Sequence, residues 1–281
     1  MSSATAGASP APCISFLSDY GDVDEFAGVC RAVMAGIAPG VPIIDITHGV
    51  PPHDIRAGGL TLVRAAQYLP EGVLLAVVDP GVGTGRRAVA VQLARGFLVG
   101  PDNGLLAPTV AMAGGPERIV ELTNTEYQLD SPGPTFAGRD VMAPAAAYLA
   151  SGVPLESLGP EIDAAHLMPG TLPVATEEGA EVRAEVLWVD RFGNCQLNVD
   201  PDTLRRLGAE PGGPVEIAHG ADTPRLARWV TAYGDARPGE LVLVVDSYGL
   251  ASLALDRSSA ARECTLRAGS EVTVITPGEA T

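Results

Sequence analysis

The chain has 281 residues, 46% of them hydrophobic, which is enough for two modest domains or one large one and argues for a folded globular protein. Its 34 acidic against 18 basic residues give a formal net charge of −16, which excludes partners held mainly through phosphates, so neither nucleic acid nor an anionic membrane is expected. All the basic residues are arginine, and without lysine there is no Schiff base, no pyridoxal phosphate attachment and no P-loop lysine.

In chain order, residues 1–12 (MSSATAGASPAP) are small and polar, lack the basic and apolar regions of a signal peptide, and predict a disordered tail. No apolar run reaches transmembrane length, so a cytoplasmic protein is expected. Residues 13–166 alternate short apolar runs that end in Gly, Asp or Asn (CISFLSDYGD, PIIDITHG, VLLAVVDPG, GFLVGPDNG) with amphipathic stretches at 25–37 and 55–68. The runs read as buried parallel strands with loops at their C-terminal ends, and the stretches as helices, so an α/β domain with a mainly parallel sheet is predicted. A further helix is expected over 143–151, closed by Gly152. Residues 167–180, rich in proline and acid around LMPGTLPVATEE, predict a linker. From 181 to 281 the segments are short, β-branched and turn-bounded, with one brief helix near 202–207, so a mostly β domain, an antiparallel sheet or small barrel, is predicted.

Ligands of open α/β sheets bind at the carboxyl ends of the strands, which makes Asp19, Asp45, Asp79 and Asp102 candidates; capping a helix or turn is an equally good role for any one of them. VVDPGVGTGRR (77–87) follows a strand with an Asp-Pro corner and three glycines, spaced too loosely for a dinucleotide fingerprint. A hairpin-like turn there would return Arg86 to Asp79 and form a grip for a small polar nucleophile; the plain alternative is a surface turn with a weak salt bridge. In VDRFGNCQLN (189–198), Asp190 suits an ammonium, Phe192 a ring face and Asn194 an adenine edge, while a ligand-free strand and bulge fits the same residues. His48 and His53 flank GVPP without partners at metal spacing. Cys13, Cys30, Cys195 and Cys264 are scattered, with no CxxC pair, so reduced structural cysteines and no metal site are expected.

Taken together, FLSDYGDVDEF, IIDITHGVPPHDIRAG, VVDPGVGTGRRAVAV, LVGPDNGLL, TFAGRDVMAPAAAYLA, VDRFGNCQLN and VDSYGLASLAL resemble the S-adenosyl-L-methionine (SAM) hydroxide adenosyltransferase family, relatives of the SAM-dependent fluorinase and chlorinase. The resemblance spans roughly residues 14–275. It implies a Rossmann-like N-terminal domain, a barrel-like C-terminal domain, and a homotrimer binding SAM between one subunit's N-terminal domain and its neighbour's C-terminal domain. It also implies the reaction, in which water attacks ribose C5′ and adenosine and L-methionine are released, with SAM as substrate and no cofactor or metal.

By position, the resemblance implies that Asp19 holds the ribose hydroxyls, Asp190 the methionine ammonium and Asn194 the adenine edge; near 257–261 the spacing differs from the relatives and leaves the remaining adenine contacts open. Ser247 and Tyr248 fall where relatives bind the methionine carboxylate, although the halogenases carry arginine at the second position. His53 falls where an aromatic residue covers the nucleoside, and Phe136 supports the neighbouring loop. Asp79 and Arg86 match two members of an Asp–Arg–His constellation that distinguishes the hydroxide enzymes from the halogenases. The third belongs in TFHGRD, where this chain has Ala137. Alanine exchanges no proton, so slow turnover is expected; losing a positioned general base costs about 10²- to 10⁴-fold. Natural divergence and an engineered replacement both account for the alanine, and the intact remainder of the pattern favours the second. Three functions follow in order of preference: an impaired SAM hydrolase, a halide adenosyltransferase, and a non-catalytic SAM or adenosine binder.

Overall fold

The structure, a computed structural model, describes residues 11–221 and 223–276. The tail expected over 1–12 lies, through residue 10, outside the described residues. The chain divides into two compact units between Leu172 and Pro173, inside the stretch read as a linker.

The first unit runs β1 (Ile14–Ser18), α1 (Phe26–Ile37), β2 (Ile43–Thr47), α2 (Ile55–Ala66), β3 (Val73–Val77), β4 (Ala88–Gln92), β5 (Phe97–Pro101), α3 (Ala107–Met112), β6 (Arg118–Glu121) and α4 (Ala143–Ala150). Its sheet has the order β2-β1-β3-β5-β4-β6. β2, β1, β3 and β5 pair in parallel, while β4 runs antiparallel to both of its neighbours. The near-continuous apolar runs are what a sheet covered on both faces requires, and β1 is buried along its whole length. Ile14, Phe16, Val73, Leu75 and Val77 share one core with Ala27, Cys30 and Met34 of α1 and the alanines of α4. Each such large apolar side chain contributes about 1.5–3 kcal/mol on burial. The alanines let α4 pack closely: Ala145, Ala146, Ala147 and Ala150 are all buried.

One feature departs from the sequence reading. The turn from Asp79 to Arg86 is not a hairpin between paired strands, because β5 lies between β3 and β4 in the sheet. The loop nonetheless folds back on itself, through the Val82 N–H on the Asp79 carbonyl (3.2 Å) and the Thr84 N–H on the Gly81 carbonyl (3.2 Å). Ahead of α4, Gly138–Met142 forms a π-helical turn continuous with it. Such turns widen the helix and recur at functional sites.

The second unit runs β7 (Thr176–Glu178), β8 (Glu181–Val189), β9 (Cys195–Leu197), α5 (Pro201–Arg206), β10 (Pro214–Ala218), β11 (Arg225–Val230), β12 (Leu241–Val245), β13 (Ala251–Leu255), α6 (Ala260–Glu263) and β14 (Glu271–Ile275). The strands β14-β10-β11-β12-β13-β9-β8 close into a seven-stranded barrel through the β14–β8 pairing, with β7 attached outside the ring to β8. All pairs are antiparallel except β11–β12. Closure removes the exposed edges that an open sheet would present. Inward positions such as Val182, Val186, Leu197, Trp229, Leu243, Leu253 and Val274 fill the interior. The α5 helix begins where the sequence places it, capped by the Asp200 carboxylate accepting the Thr203 N–H (2.8 Å).

Candidate active site

In the first unit a cavity of about 250 Å³ opens beyond the carboxyl ends of β1 and β3, lined by Asp19, Tyr20, Phe26, Pro52, His53, Asp79, Val82, Thr135, Phe136 and Gly138. Five of the residues singled out from the sequence meet here or directly beside it: Asp19, His53, Asp79, Phe136 and, paired to Asp79, Arg86. The other two strand-end carboxylates do not. Asp102 is buried and accepts Nε (3.0 Å) and Nη2 (2.5 Å) of Arg87 and the Met168 N–H (2.7 Å), which anchors the segment leading out of the unit. Asp45 pairs with Arg31 (2.6 Å) and His48 (3.0 Å).

The Asp79–Arg86 pair is almost wholly shielded from solvent, with side-chain exposures of 6% and 11%. Arg86 donates from Nη2 to Asp79 Oδ2 and from Nη1 to its neighbour's carbonyl, that of Arg87 (2.5 Å). Asp79 Oδ1 and Arg86 Nε are buried and have no hydrogen-bond partner among the described residues. An unsatisfied buried carboxylate oxygen is costly in an inert interior, so this one is suited to a molecule that brings a proton to it. Burial pushes the Asp79 carboxyl pKa up; the Arg86 charge and hydrogen bond, with the nearby Gly81 amide, oppose that rise without cancelling it, and the Asp19 charge adds to it.

Asp19 Oδ2 accepts the His53 N–H (2.9 Å), and His53 is held at φ 67°, a left-handed conformation rare for a non-glycine residue. The Asp19 bond thus fixes the loop that carries His53. Around the cavity mouth Phe136 stands edge-on to Tyr20 (5.6 Å between centroids) and to Phe26 (5.2 Å), and the Arg139 guanidinium lies 4.9 Å from its centroid. Arg139 in turn grips the buried Asp140 with Nε (2.6 Å) and Nη2 (3.0 Å). Gly138 is sterically required: a Cβ there would lie 2.0 Å from the Tyr20 hydroxyl oxygen. Ala137 is half-buried and stands between Phe136 and Gly138, which both line the Asp79 cavity. It lines a second cavity with Gln128, Leu129 and Asp140, and is not among the residues lining the Asp79 cavity. Tyr20, Phe26 and Thr135 escaped the sequence reading; the position of Tyr20 directly after Asp19 was the only signal for it.

In the second unit a separate cavity is lined by Asp190, Phe192, Asn194, Tyr233, Leu255, Arg257, Ser258, Ser259 and Arg262. Asp190 organises its loop: Oδ1 accepts the N–H groups of Phe192 (2.8 Å) and Asn194 (2.9 Å), and Oδ2 accepts the Asn194 side-chain amide (2.8 Å). Phe192 is 73% exposed. Gly193 has φ 86°, and a Cβ on it would fall 2.1 Å from Ser259 Oγ, so the glycine lets this loop lie against the N-cap of α6. Arg257, Ser258 and Ser259 line the same cavity as Asp190 and Asn194. Ser247 and Tyr248 are placed differently, on the turn between β12 and β13, and neither lines this cavity. There Asp246 Oδ1 accepts the Tyr248 N–H (2.8 Å) and its Oδ2 the Gln196 side-chain amide (2.6 Å). Tyr233 and Arg262 went unrecognised in the sequence because nothing local marks them. Burial, then the Asp246 and Asp190 charges, push the Tyr233 phenol pKa up.

Among the described residues no cluster of three His, Cys, Asp or Glu side chains could hold a metal ion, and no helix is long and apolar enough to cross a membrane. All four cysteines are free.

Fold and site together define a two-unit protein in which a Rossmann-like sheet carries a carboxylate–guanidinium cavity at its strand ends and a seven-stranded barrel follows. Residues 14–159 match the SAM hydroxide adenosyltransferase N-terminal domain, and residues 184–273 match the C-terminal domain of the same family. The chain belongs to the SAM hydroxide adenosyltransferase family. It is 43% identical over 252 residues to the (R)-S-adenosyl-L-methionine hydrolase of Salinispora tropica, covering 90% of this chain and 93% of that one. It is 30% identical over 291 residues to the fluorinase of Actinopolyspora mzabensis, covering 94% and 97%. Among solved structures, an uncharacterized conserved protein from Thermotoga maritima superposes with a TM-score of 0.87 at 34% identity, covering 94% of this chain and all of that one.

Proposed function

We propose that the protein hydrolyses (R)-S-adenosyl-L-methionine to adenosine and L-methionine. The observation that carries this reading is the Asp79–Arg86 pair, in which one carboxylate oxygen is locked by the guanidinium and the other is buried without a partner beside a nucleoside-sized cavity. Water attacks C5′ as the C5′–S bond breaks; the sulfonium takes the bonding pair and leaves as the neutral thioether of methionine. The attacking water gives up one proton, and Asp79 Oδ1 is the acceptor placed for it. Bulk water has a pKa of about 15.7, so removal of that proton and stabilisation of the developing hydroxide by Arg86 are where the protein lowers the barrier. The cationic sulfonium becomes a neutral thioether as it departs, so the reaction requires neither a leaving-group acid nor a cofactor.

In this reading Asp19 holds the ribose hydroxyls with His53 covering the nucleoside and Phe136 walling the site, Asp190 takes the methionine ammonium, Asn194 and Phe192 face the adenine, and Ser247 and Tyr248 take the methionine carboxylate. The functional assembly is a homotrimer with the ligand at the subunit interface, working in the cytoplasm. Ala137 slows turnover, because no side chain there relays the proton onward from Asp79. Halide transfer is disfavoured, because an ionised Asp79 beside the nucleophile repels fluoride and chloride. The hydrolase relative is also the more similar one, at 43% against 30% identity for the fluorinase.

The direct test is incubation with the two sulfonium epimers of SAM and chromatography of the products. Adenosine from the (R) epimer is expected, slowly from this chain and faster from Ala137→His. Absence of adenosine from both proteins would overturn the hydrolase reading, and tight adenosine binding in the same preparations would then favour the non-catalytic alternative. Formation of 5′-halo-5′-deoxyadenosine on adding halide would reverse the preference for water.

A further inference from the structure

Ser18, Asp45 and His48 have no role in the reading above, yet they form one connected chain of hydrogen bonds behind the Asp19 loop. Ser18 ends β1, Asp45 lies on β2, and His48 follows β2; Ser18 and His48 are buried. Ser18 Oγ lies 2.8 Å from His48 Nδ1, and His48 Nε2 lies 3.0 Å from Asp45 Oδ1. On the outer side Arg31 donates to Asp45 Oδ2 (2.6 Å), and the imidazole packs edge-on to Phe16 with centroids 4.7 Å apart.

Protons can be assigned along this chain. Ser18 Oγ accepts the Tyr20 N–H (3.3 Å), so the hydroxyl proton goes to His48 Nδ1 and the imidazole carries its own hydrogen on Nε2, pointed at Asp45. In the opposite tautomer the ring would donate to Ser18, the bare Nε2 would face the Asp45 carboxylate lone pair to lone pair, and only the long Arg31 Nη1 contact (3.5 Å) would serve it. The Asp45 carboxylate, oriented by Arg31, thus selects the tautomer that lets Ser18 satisfy both neighbours.

The same residues tie two loops together through their main chains. The Gly21 N–H donates to the His48 carbonyl (2.7 Å) and the Val50 N–H to the Ser18 carbonyl (3.4 Å). Further along the second loop the His53 N–H reaches back to Oδ2 of Asp19, the residue after Ser18. One loop carries the carboxylate and the other supplies its hydrogen bond, and the Ser18–His48–Asp45 chain joins their roots.

We infer that Ser18, His48 and Asp45 are positioning residues that fix the direction of the Asp19 carboxylate, and through it the recognition of the vicinal hydroxyls of a ribonucleoside. The inference rests on the reading of Asp19 as the ribose-binding group. A carboxylate accepts about four hydrogen bonds, so after the bond from His53 enough acceptor capacity remains for two hydroxyls if the group is held facing them. A carboxylate free to swing would keep one such bond at a time and lose the discrimination.

The test is calorimetric titration of the full chain, Ser18→Ala and Asp45→Ala with adenosine and with 2′-deoxyadenosine. Asp45 has a side chain 41% exposed, so its replacement leaves the fold intact even if the buried Ser18 variant is unstable. The unsubstituted protein is expected to prefer adenosine by roughly 10-fold, the worth of one hydrogen bond to a charged group. Asp45→Ala is expected to reduce that preference to below about 3-fold, by weakening adenosine while leaving 2′-deoxyadenosine nearly unchanged. Amide deuterium uptake should rise over 19–21 and 49–53 in the same variant. Equal weakening of both nucleosides would show a merely structural role and overturn the inference, as would an unchanged preference. If the unsubstituted protein binds both nucleosides equally, the ribose reading of Asp19 fails first and the positioning role falls with it.

Discussion

Asp79 is under opposed influences: burial and the Asp19 charge favour the neutral acid, Arg86 and the Gly81 amide favour the carboxylate, and burial prevails. The acid limb of kcat/KM against pH should therefore fall above the ordinary aspartate value of about 3.9, with activity lost as the pH drops through that limb. The stability effect has the opposite sense. A proton binds the folded state more tightly than the unfolded chain, so the Asp79 contribution to stability is greatest at low pH and declines as the pH rises from the unfolded value to the raised folded one. Asp79→Asn should abolish adenosine release without preventing adenosine binding, and calorimetry alongside chromatography separates the two. At position 137 the expectation is the reverse: Ala137→His should raise turnover by about 10²- to 10⁴-fold with little change in KM, the signature of restored proton handling. Loss of substrate binding in that variant would mean that the position shapes the cavity and plays no part in proton transfer.

The elements that matter most are short, and glycine decides how closely they approach. The π-helical turn Gly138–Met142 brings its first residue against the end of the Tyr20 ring, which Phe16, Phe26 and Phe136 wedge from three directions. Gly138→Ala should therefore cost about 1–3 kcal/mol through overpacking. Thermal unfolding of the single and double variants checks the cause, because in a Tyr20→Phe background the clashing oxygen is gone and the cost of Gly138→Ala should shrink. Equal costs in both backgrounds would place the strain elsewhere. Gly193 is less forgiving. Its φ of 86° is unfavourable to alanine, and the added Cβ would lie 2.7 Å from the Ser259 Cα as well as against its hydroxyl, so backbone must move. Gly193→Ala should loosen the loop that carries Asp190 and Asn194.

At the scale of the whole molecule, the second unit depends on closure of its barrel. Val274 of β14 is fully buried on the strand that seals the ring against β8. Val274→Asp places an unpaired carboxylate in that interior and should destabilise the unit by several kcal/mol. Both tryptophans of the chain, Trp188 and Trp229, belong to this unit, so tryptophan fluorescence in a urea titration reports on it alone. A transition unmoved by the substitution would show that closure contributes little. The proposed trimer predicts that three copies of the 28.8 kDa chain run together in sedimentation equilibrium, and a monomer mass would refute it.

Much of this protein is determined by its sequence alone. Apolar runs ending in Asp or Gly required strands buried on both faces with polar ends gathered at one edge, because parallel strands all present their carboxyl ends on the same side. That is why Asp19 and Asp79 were recognisable as candidates, and why the helix bounds at α1, α2 and α4 fell within one or two residues of expectation. Tertiary structure alone decided which strand-end carboxylates serve the cavity. Asp45 and Asp102 occupy equivalent sequence contexts, yet Arg31 with His48, and Arg87 with the Met168 amide, engage them first. It also decided that Tyr20 and Tyr233 line cavities, that Ser247 and Tyr248 sit on the turn after β12, where the Asp246 charge reaches Tyr233 of the Asp190 cavity, and that the barrel closes. Each of those depends on contacts between residues tens of positions apart, which local pattern does not encode; the Ser18–His48 bond, spanning 30 positions, is the clearest case.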